Sequence, residues 1–340
     1  MNITEHERPG VYSVYNTSSV TGGRAGRGSV GVAAICGEGE TGKVYELNGY
    51  EEAVELFSEE ENLTRYSRLI LRNGAAKVYA VPVADAAGYA QAFQALGSCA
   101  DIRVVTCDAT AAETQQALRE QVREDSAARR ERLGIVCGEA GETAAKMVER
   151  AAGLNCERMV LVSSGGPEAA AALAGVIAAE SDPAVPLSGA ELKDVAELGK
   201  VWTDSDIDMM VKGGVTPLEM VGGAASVVRA VTTRTRTNNV TDATWQELTT
   251  IRVVDDVIPG LRDALRLRFS RAKNTQQGRE AIRSQVIVEL EKKLDEEIIT
   301  GYDNVRVSAM EDKPTVCLVE FQFTVAHGLN QIWLSAQITV

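Results

Sequence analysis

Between about residues 30 and 180 the chain alternates short apolar runs with longer segments of helical character. The runs "SVGVAAIC", "AAKVYAVPV", "IRVVTC", "GIVCG" and "RMVLVSS" read as strands. Between them lie "GYEEAVELFS", "AGYAQAFQAL", "AAETQQALREQVREDSAARRERL" and "GETAAKMVERAAG", which read as helices. This alternation predicts an α/β fold, with helices flanking a mostly parallel or mixed sheet. From 200 to 240 the pattern changes. "DSDIDMMVKGGV" predicts a short helix closed by Gly213, and the β-branched "ASVVRAVTTRTRT" predicts a strand. The polar "RTNNVTDATW" then marks a boundary near 238–245.

The last hundred residues differ. "IRVVDDVIPGLRDALRLRFS" begins as strand or helix and becomes helical. In "GREAIRSQVIVELEKKLDEEII", Ile282, Val286, Leu290, Leu294 and Ile298 form one apolar stripe opposite a charged face, as on a helix packed on a core. "VEFQFTV" alternates Phe321, Phe323 and Val325 with polar residues, and "QIWLSAQITV" places Ile332, Leu334, Ala336, Ile338 and Val340 on one face. This two-residue period predicts a β-hairpin about the "AHGLN" turn. At the other end, "RPGVYSVYNTSSV" with Val11, Tyr12 and Val14 is an extended arm, set apart by the glycine-rich "TGGRAGRG". A strand with an apolar face and unpaired backbone needs a partner. Pairing within one subunit and addition to a neighbour's sheet satisfy it equally, and the pattern leaves both open.

Composition narrows the function classes. The 340 residues are 45% hydrophobic and 24% charged, the profile of a globular protein. No apolar run approaches the roughly 20 residues of a membrane-spanning helix, and "MNITEHERPG" lacks the apolar core of a secretory signal. Of six cysteines, none form C-x-x-C, and Cys36, Cys107, Cys137 and Cys317 lie in apolar runs, which predicts buried reduced thiols. With only His6 and His327, both in polar surroundings, a zinc site or serine–histidine triad has little to draw on. The net charge of −13 argues against nucleic acid as the main partner. It is unevenly spread. Residues 251–340 carry 12 Lys+Arg and 13 Asp+Glu, leaving 23 and 35 in residues 1–250. Within the near-neutral part, Arg262, Arg266, Arg268, Arg271 and Lys273 face a single acid, Asp263. Such a basic segment either meets an acidic partner or pairs with neighbouring carboxylates.

One motif invites a nucleotide. In "AICGEGETGKVYEL", Gly37, Gly39 and Gly42 fit G-x-G-x-x-G, and Gly37 to Lys43 fit G-x-x-x-x-G-K. A phosphate loop needs a hydroxyl after the lysine and a helix to follow. Here Val44 stands in that place, Glu38 and Glu40 add negative charge, and "KVYEL" reads as extended chain, so a surface turn is expected. Asp108, ending "IRVVTCD", resembles a magnesium-holding aspartate, although an acid after a buried strand is common. "SSGGPEAA" at 163–170 lacks a lysine and reads as a helix entry, with Pro167 in the first turn. No cofactor, metal or catalytic residue is expected. A nucleotide-binding enzyme using Gly37–Lys43 is the competing reading.

Taken in order, several segments resemble the tail sheath proteins of contractile phages and phage-derived injection machines. They are "ERPGVY", "LILRNGAAKVYAVPV", "MMVKGGVTPLEMVGGAASVVRAVTTRT", "TWQELTTIRVVDDVIPGLRDALRLRF", "KNTQQGREAIRSQVIVELEKKLDEE" and "VEFQFTVAHGLNQIWLSAQITV". Pro82 departs from an arginine often seen near that place. The resemblance implies an N-terminal arm at 1–24, an outer solvent-facing α/β domain at 25–240, and an inner tube-facing α+β domain at 241–340 completed by the arm. It further implies exchange of the arm (Val11, Tyr12, Val14) and the final strand (Ile332, Leu334, Ile338, Val340) between subunits. The implied partners are further copies in stacked hexameric rings, a tail tube protein, and baseplate and terminator proteins, with no nucleic acid and no membrane insertion. The basic set from Arg262 to Lys273 is the candidate tube contact, and Gly22–Gly28 and 236–244 are candidate hinges. The implied setting is a virion tail or phage-like particle assembled in the host bacterial cytoplasm. Another tail part, tube or baseplate, is the remaining structural alternative.

Overall fold

The apolar runs assemble into one sheet. The computed structural model of the protein describes residues 28–310 and 313–328. In chain order come β1 (Ser29–Ile35), β2 (Tyr45–Leu47), α1 (Tyr50–Phe57), α2 (Asn62–Arg72), β3 (Lys77–Val83), α3 (Tyr89–Gly97), β4 (Ile102–Cys107), α4 (Ala112–Ala127), β5 (Leu133–Cys137), α5 (Ala144–Leu154), β6 (Met159–Val162) and α6 (Gly166–Ala179). The sheet order is β2-β3-β1-β4-β5-β6, parallel throughout except for β2, which runs antiparallel to β3.

Burial on both faces explains why these strands read as continuous apolar runs. Every residue of β6 is buried, as is all of β1 except Ile35. Phe57, Leu63, Ile70 and Leu173 bring α1, α2 and α6 onto one face. Phe93, Leu96, Leu118 and Met147 bring α3, α4 and α5 onto the other. The alanine-rich α6 is buried along most of its length. It lies so close to α2 that a Cβ on Gly175 would stand 2.5 Å from the Ile70 carbonyl oxygen. Arg132 is fully buried at the foot of β5, paired with Asp125 at 2.9 Å and donating to the carbonyl oxygens of Leu96 and Cys99.

The next segment departs from expectation. It holds β7 (Glu191–Leu192), α7 (Asp204–Lys212), β8 (Leu218–Val221) and β9 (Ala224–Val227), the strands forming an antiparallel sheet in the order β7-β9-β8. The helix closed by Gly213 is α7, with a Thr203–Asp206 capping box at its start. The run "ASVVRAVTTRTRT", expected as one strand, ends as a strand at Val227. Threonine hydroxyls take over the backbone groups beyond it. Thr216 Oγ1 bonds both Val231 N and Val231 O, Thr233 Oγ1 bonds both Cys156 N and Cys156 O, and Thr232 Oγ1 donates to Trp245 O. The polar tract, a candidate hinge, forms the hairpin β10 (Arg236–Thr237) and β11 (Val240–Thr241). Asn238 and Asn239 take φ of 51° and 63°, as a two-residue hairpin turn requires. Asp242 accepts from Thr237 Oγ1 at 2.6 Å and Thr244 N at 2.9 Å, and these bonds hold its carboxyl down at about 2.

The remaining elements are α8 (Leu248–Phe269), α9 (Gln276–Asp295), β12 (Ile299–Met310) and β13 (Lys313–Val325). The ambiguous "IRVVDD" is helical, with Pro259 inside α8. The α9 stripe buries Val286 and Leu290, and Ile298 is buried beyond the helix end. The pattern of β12 was not anticipated, yet it is the strand that β13 pairs with, antiparallel from Ile299↔Val325 onward. The second arm of the expected hairpin at 331–340 and the N-terminal arm at 1–24 lie outside the described residues.

Replacing Gly175 with Ala should lower stability although Ala is the better helix former by about 1 kcal/mol. Overpacking against a backbone oxygen costs about 1–3 kcal/mol, so a reduced unfolding midpoint in urea is the expected reading.

Candidate functional site

The glycine loop after β1 lacks what a phosphate site needs. Gly42 N–H donates to Pro82 O at 3.0 Å and Cys36 N–H to Val83 O at 3.0 Å, so these groups tie the loop to β3. Lys43 Nζ pairs with Glu40 at 3.1 Å. The chain then enters β2, a strand, where a phosphate loop opens a helix.

Parallel sheets of this order bind ligands in the crevice between the strands where the chain reverses its direction of winding, here the C-terminal ends of β1 and β4. Asp108 occupies that crevice. Its Oδ2 accepts from Ile35 N–H at 3.1 Å and its Oδ1 from the Tyr89 hydroxyl. Burial pushes the Asp108 carboxyl up, and these two bonds pull it partly back. Both carboxylate oxygens therefore serve the fold, joining β1, β4 and α3.

The opposite edge of the sheet carries the contacts that matter more. There α8 meets the residues just before β5 and β6. Arg158 donates through both terminal nitrogens to the two Asp255 oxygens, each at 2.7 Å, in a planar bidentate pair that is largely buried. Arg158 also donates to Arg132 O at 3.3 Å, linking the pair to the buried Arg132–Asp125 bridge. Three residues before Arg158's partner, Arg252 donates at 3.2 Å to each of the carbonyl oxygens of Val185, Glu180 and Asp182. Arg262, one turn past Pro259, pairs with Glu131 at 2.8 Å. Burial pushes the Glu131 carboxyl up, but Arg262, a backbone hydrogen bond and the nearby Arg158 charge together more than offset it, leaving the carboxyl below its ordinary value. Apolar packing follows the same division. Leu248 and Ile251 of α8 belong to the α/β core, and Val253, Val257 and Leu261 to the C-terminal core with α9, β12 and β13. Helix α8 is thus built into both units.

Beyond this clamp the helix ends in an exposed cationic tip. Arg266, Arg268, Arg271 and Lys273 are exposed, and Arg268 donates to Gln285 of α9. Among the described residues, Arg266, Arg271 and Lys273 form no ion pair. The five cations singled out in the sequence therefore divide: Arg262 faces the α/β unit, and the other four lie at or just past the helix end.

The hairpin is the second notable surface. One face of β13, with Val319, Phe321, Phe323 and Val325, packs on the C-terminal core but remains half-buried. The other exposes Val316 and Leu318. Among the described residues, β12 and β13 form a two-stranded sheet with each strand paired on one side. Packing of its apolar face against α8 and α9 gives this pair the support that an isolated two-stranded sheet lacks.

The clamp was missed from the sequence, although "VVDDV" holds two acids inside an apolar helical run, and such acids need cationic partners. Asp256 has one as well, Lys293 at 2.5 Å.

Solved structures share this two-part architecture. The contracted helical sheath of the anti-feeding prophage aligns with a TM-score of 0.73 at 12% identity, over 97% of this chain and 98% of that one. The anti-feeding prophage baseplate contains a chain with a TM-score of 0.72 at 13% identity, over 98% of this chain and all of that one. The sheath tail protein of Desulfitobacterium hafniense gives 0.68 at 13% identity, over 93% of this chain and all of that one. At the sequence level, residues 83–233 match the phage tail sheath protein central domain, and residues 240–339 the phage tail sheath C-terminal domain. The chain belongs to the phage tail sheath protein family. The tail sheath protein of Bacillus phage SP01 is 28% identical over 249 residues, 68% of this chain. That alignment spans 42% of the phage protein's own length.

Asp255→Ala should leave the Arg158 guanidinium buried without an anion and cost about 3–5 kcal/mol, measured by denaturant unfolding. The paired replacement Arg158→Met with Asp255→Leu should recover most of that loss. Acid should weaken the Glu131–Arg262 pair: its contribution is full above the ordinary Glu value of about 4.3 and is lost as pH falls through the depressed folded value. Arg262→Met should accordingly lose less stability than the native chain between pH 6 and pH 3.

Proposed function

We propose that this chain is the repeating subunit of a contractile tail sheath. It polymerises as a helical cylinder of stacked hexameric rings around a tail tube and contracts to drive that tube through a target envelope. The carrying observation is that two sheath family models match in order along the chain, over 83–233 and 240–339.

In this reading the α/β unit faces solvent, and its excess of carboxylates keeps neighbouring outer faces apart. The near-neutral C-terminal unit lies inward, with the α8 tip directed at the tube. The half-buried β12–β13 sheet supports strand addition, because further strands would pair the edges left unpaired among the described residues and cover its apolar face. The arm (Val11, Tyr12, Val14) and the final strand (Ile332, Leu334, Ile338, Val340) supply those strands to adjacent copies. Each subunit is then tied to its neighbours while the layers rearrange.

The work comes from assembly, with no enzymatic step. Subunits are held in an extended array, and a trigger at the baseplate end lets each layer repack with more buried interface. The free-energy difference between the two lattices drives the movement, as in any two-state element biased by contacts. Partners beyond further copies are the tube protein, the baseplate and a terminator at the far end. The particle is a virion tail or phage-like device assembled in the host cytoplasm.

Electron microscopy of the purified chain with tubes should show long cylinders with a helical lattice, and ATP should be neither bound nor hydrolysed. Deleting Ile332–Val340 should abolish polymerisation while the circular dichroism of the monomer is kept. Cylinders built by the truncated chain would discard strand exchange through this end.

A further inference from the structure

We propose that Leu267 is the apolar anchor of the cationic α8 tip, and that the surface it meets offers an apolar pocket rimmed by carboxylates. The proposal rests on the reading of this tip as the tube contact, and adds the residue that gives the contact a fixed position.

Leu267 is 84% exposed in the last turn of α8. The other leucines in this half of the helix are engaged: Leu261 is buried and Leu265 packs on the C-terminal core. In sequence Leu267 is flanked by Arg266 and Arg268, with Arg271 one turn on and Lys273 just beyond the helix end. Asp263, one turn earlier, is the acid of the segment. Cations near a helix C-terminus are favoured by the helix dipole, which by itself accounts for Arg266 and Arg268. It does not account for a leucine held out in water among them.

The arrangement is that of an interface in miniature. A central apolar side chain supplies most of the affinity, and a charged rim excludes water and sets orientation. Unpaired cations draw in an acidic partner from a distance and orient it, while an apolar anchor adds affinity that salt does not screen. An apolar side chain in a matching pocket is position-specific. A separate acidic partner suits the tip, since Arg266, Arg271 and Lys273 have no anion among the described residues. The mean position of α8 is set by the Arg158–Asp255 clamp, so Leu267 is presented from a rigid element.

The test is cosedimentation of the full-length chain with preformed tubes of the particle's own tube protein, across a salt series. Leu267→Ala should weaken binding on the order of 30-fold and leave the salt dependence unchanged. Arg266→Glu with Arg271→Glu and Lys273→Glu should abolish binding at low salt. Native binding by Leu267→Ala, with loss in the charge-reversed chain, would overturn the anchor and leave the tube contact standing. Native binding by both would overturn the anchor and the tube contact together. If Leu267→Ala blocks polymerisation of the chain without tubes, the leucine joins copies of this protein and the proposal is wrong.

Discussion

The bidentate Arg158–Asp255 pair is the contact on which the two halves of the molecule depend. It sits where α8 crosses the N-terminal edge of the sheet, and it is reinforced by Arg252 on one side and Glu131–Arg262 on the other. A largely buried ion pair is not in itself a strong source of stability, because desolvation offsets much of the attraction. What it supplies is a fixed geometry. A planar guanidinium holding both carboxylate oxygens admits little rotation of α8 about its own axis. The apolar residues of the helix can then divide cleanly, Leu248 and Ile251 to one core and Val253, Val257 and Leu261 to the other. A rotation of one residue, about 100°, would turn both sets away from their cores.

Much of this fold was legible in the sequence because it rests on short-range patterns. The strands β1, β3, β4, β5 and β6 are continuous apolar runs, since helices cover both their faces. The α9 stripe gave its helix directly. The rest depended on contacts between residues far apart in the chain. Thr232 and Thr233 favour a strand by type, but their hydroxyls are committed to backbone groups near residues 245 and 156. The strand β12 was overlooked because charged and polar residues interrupt its apolar positions, which leaves Val305 and Val307 as a weak signal. The candidate site divided in the same way. The basic composition of the α8 end is plain in one dimension, yet nothing local distinguishes Arg262, whose partner Glu131 is remote in sequence, from Arg266.

The glycine loop is instructive for the opposite reason. It satisfies two spacing motifs and fails both on context. Its Gly42 N–H is bonded to β3 and its Glu40 N–H to the Tyr45 hydroxyl, its lysine pairs with a glutamate of the same turn, and it leads into a strand. The crevice where a ligand would lie in a sheet of this order is tied across by Asp108.

The division of α8 between two cores has a consequence for how the molecule can be taken apart. A cut near residue 241, where the sequence pattern changes, would strip the α/β unit of Leu248 and Ile251 and leave the Arg158 guanidinium facing an empty trough. The severed C-terminal piece would carry the same two side chains bare to water. An exchange of one unit between relatives at that seam would therefore have to carry α8 and its landing surface together to keep both cores intact.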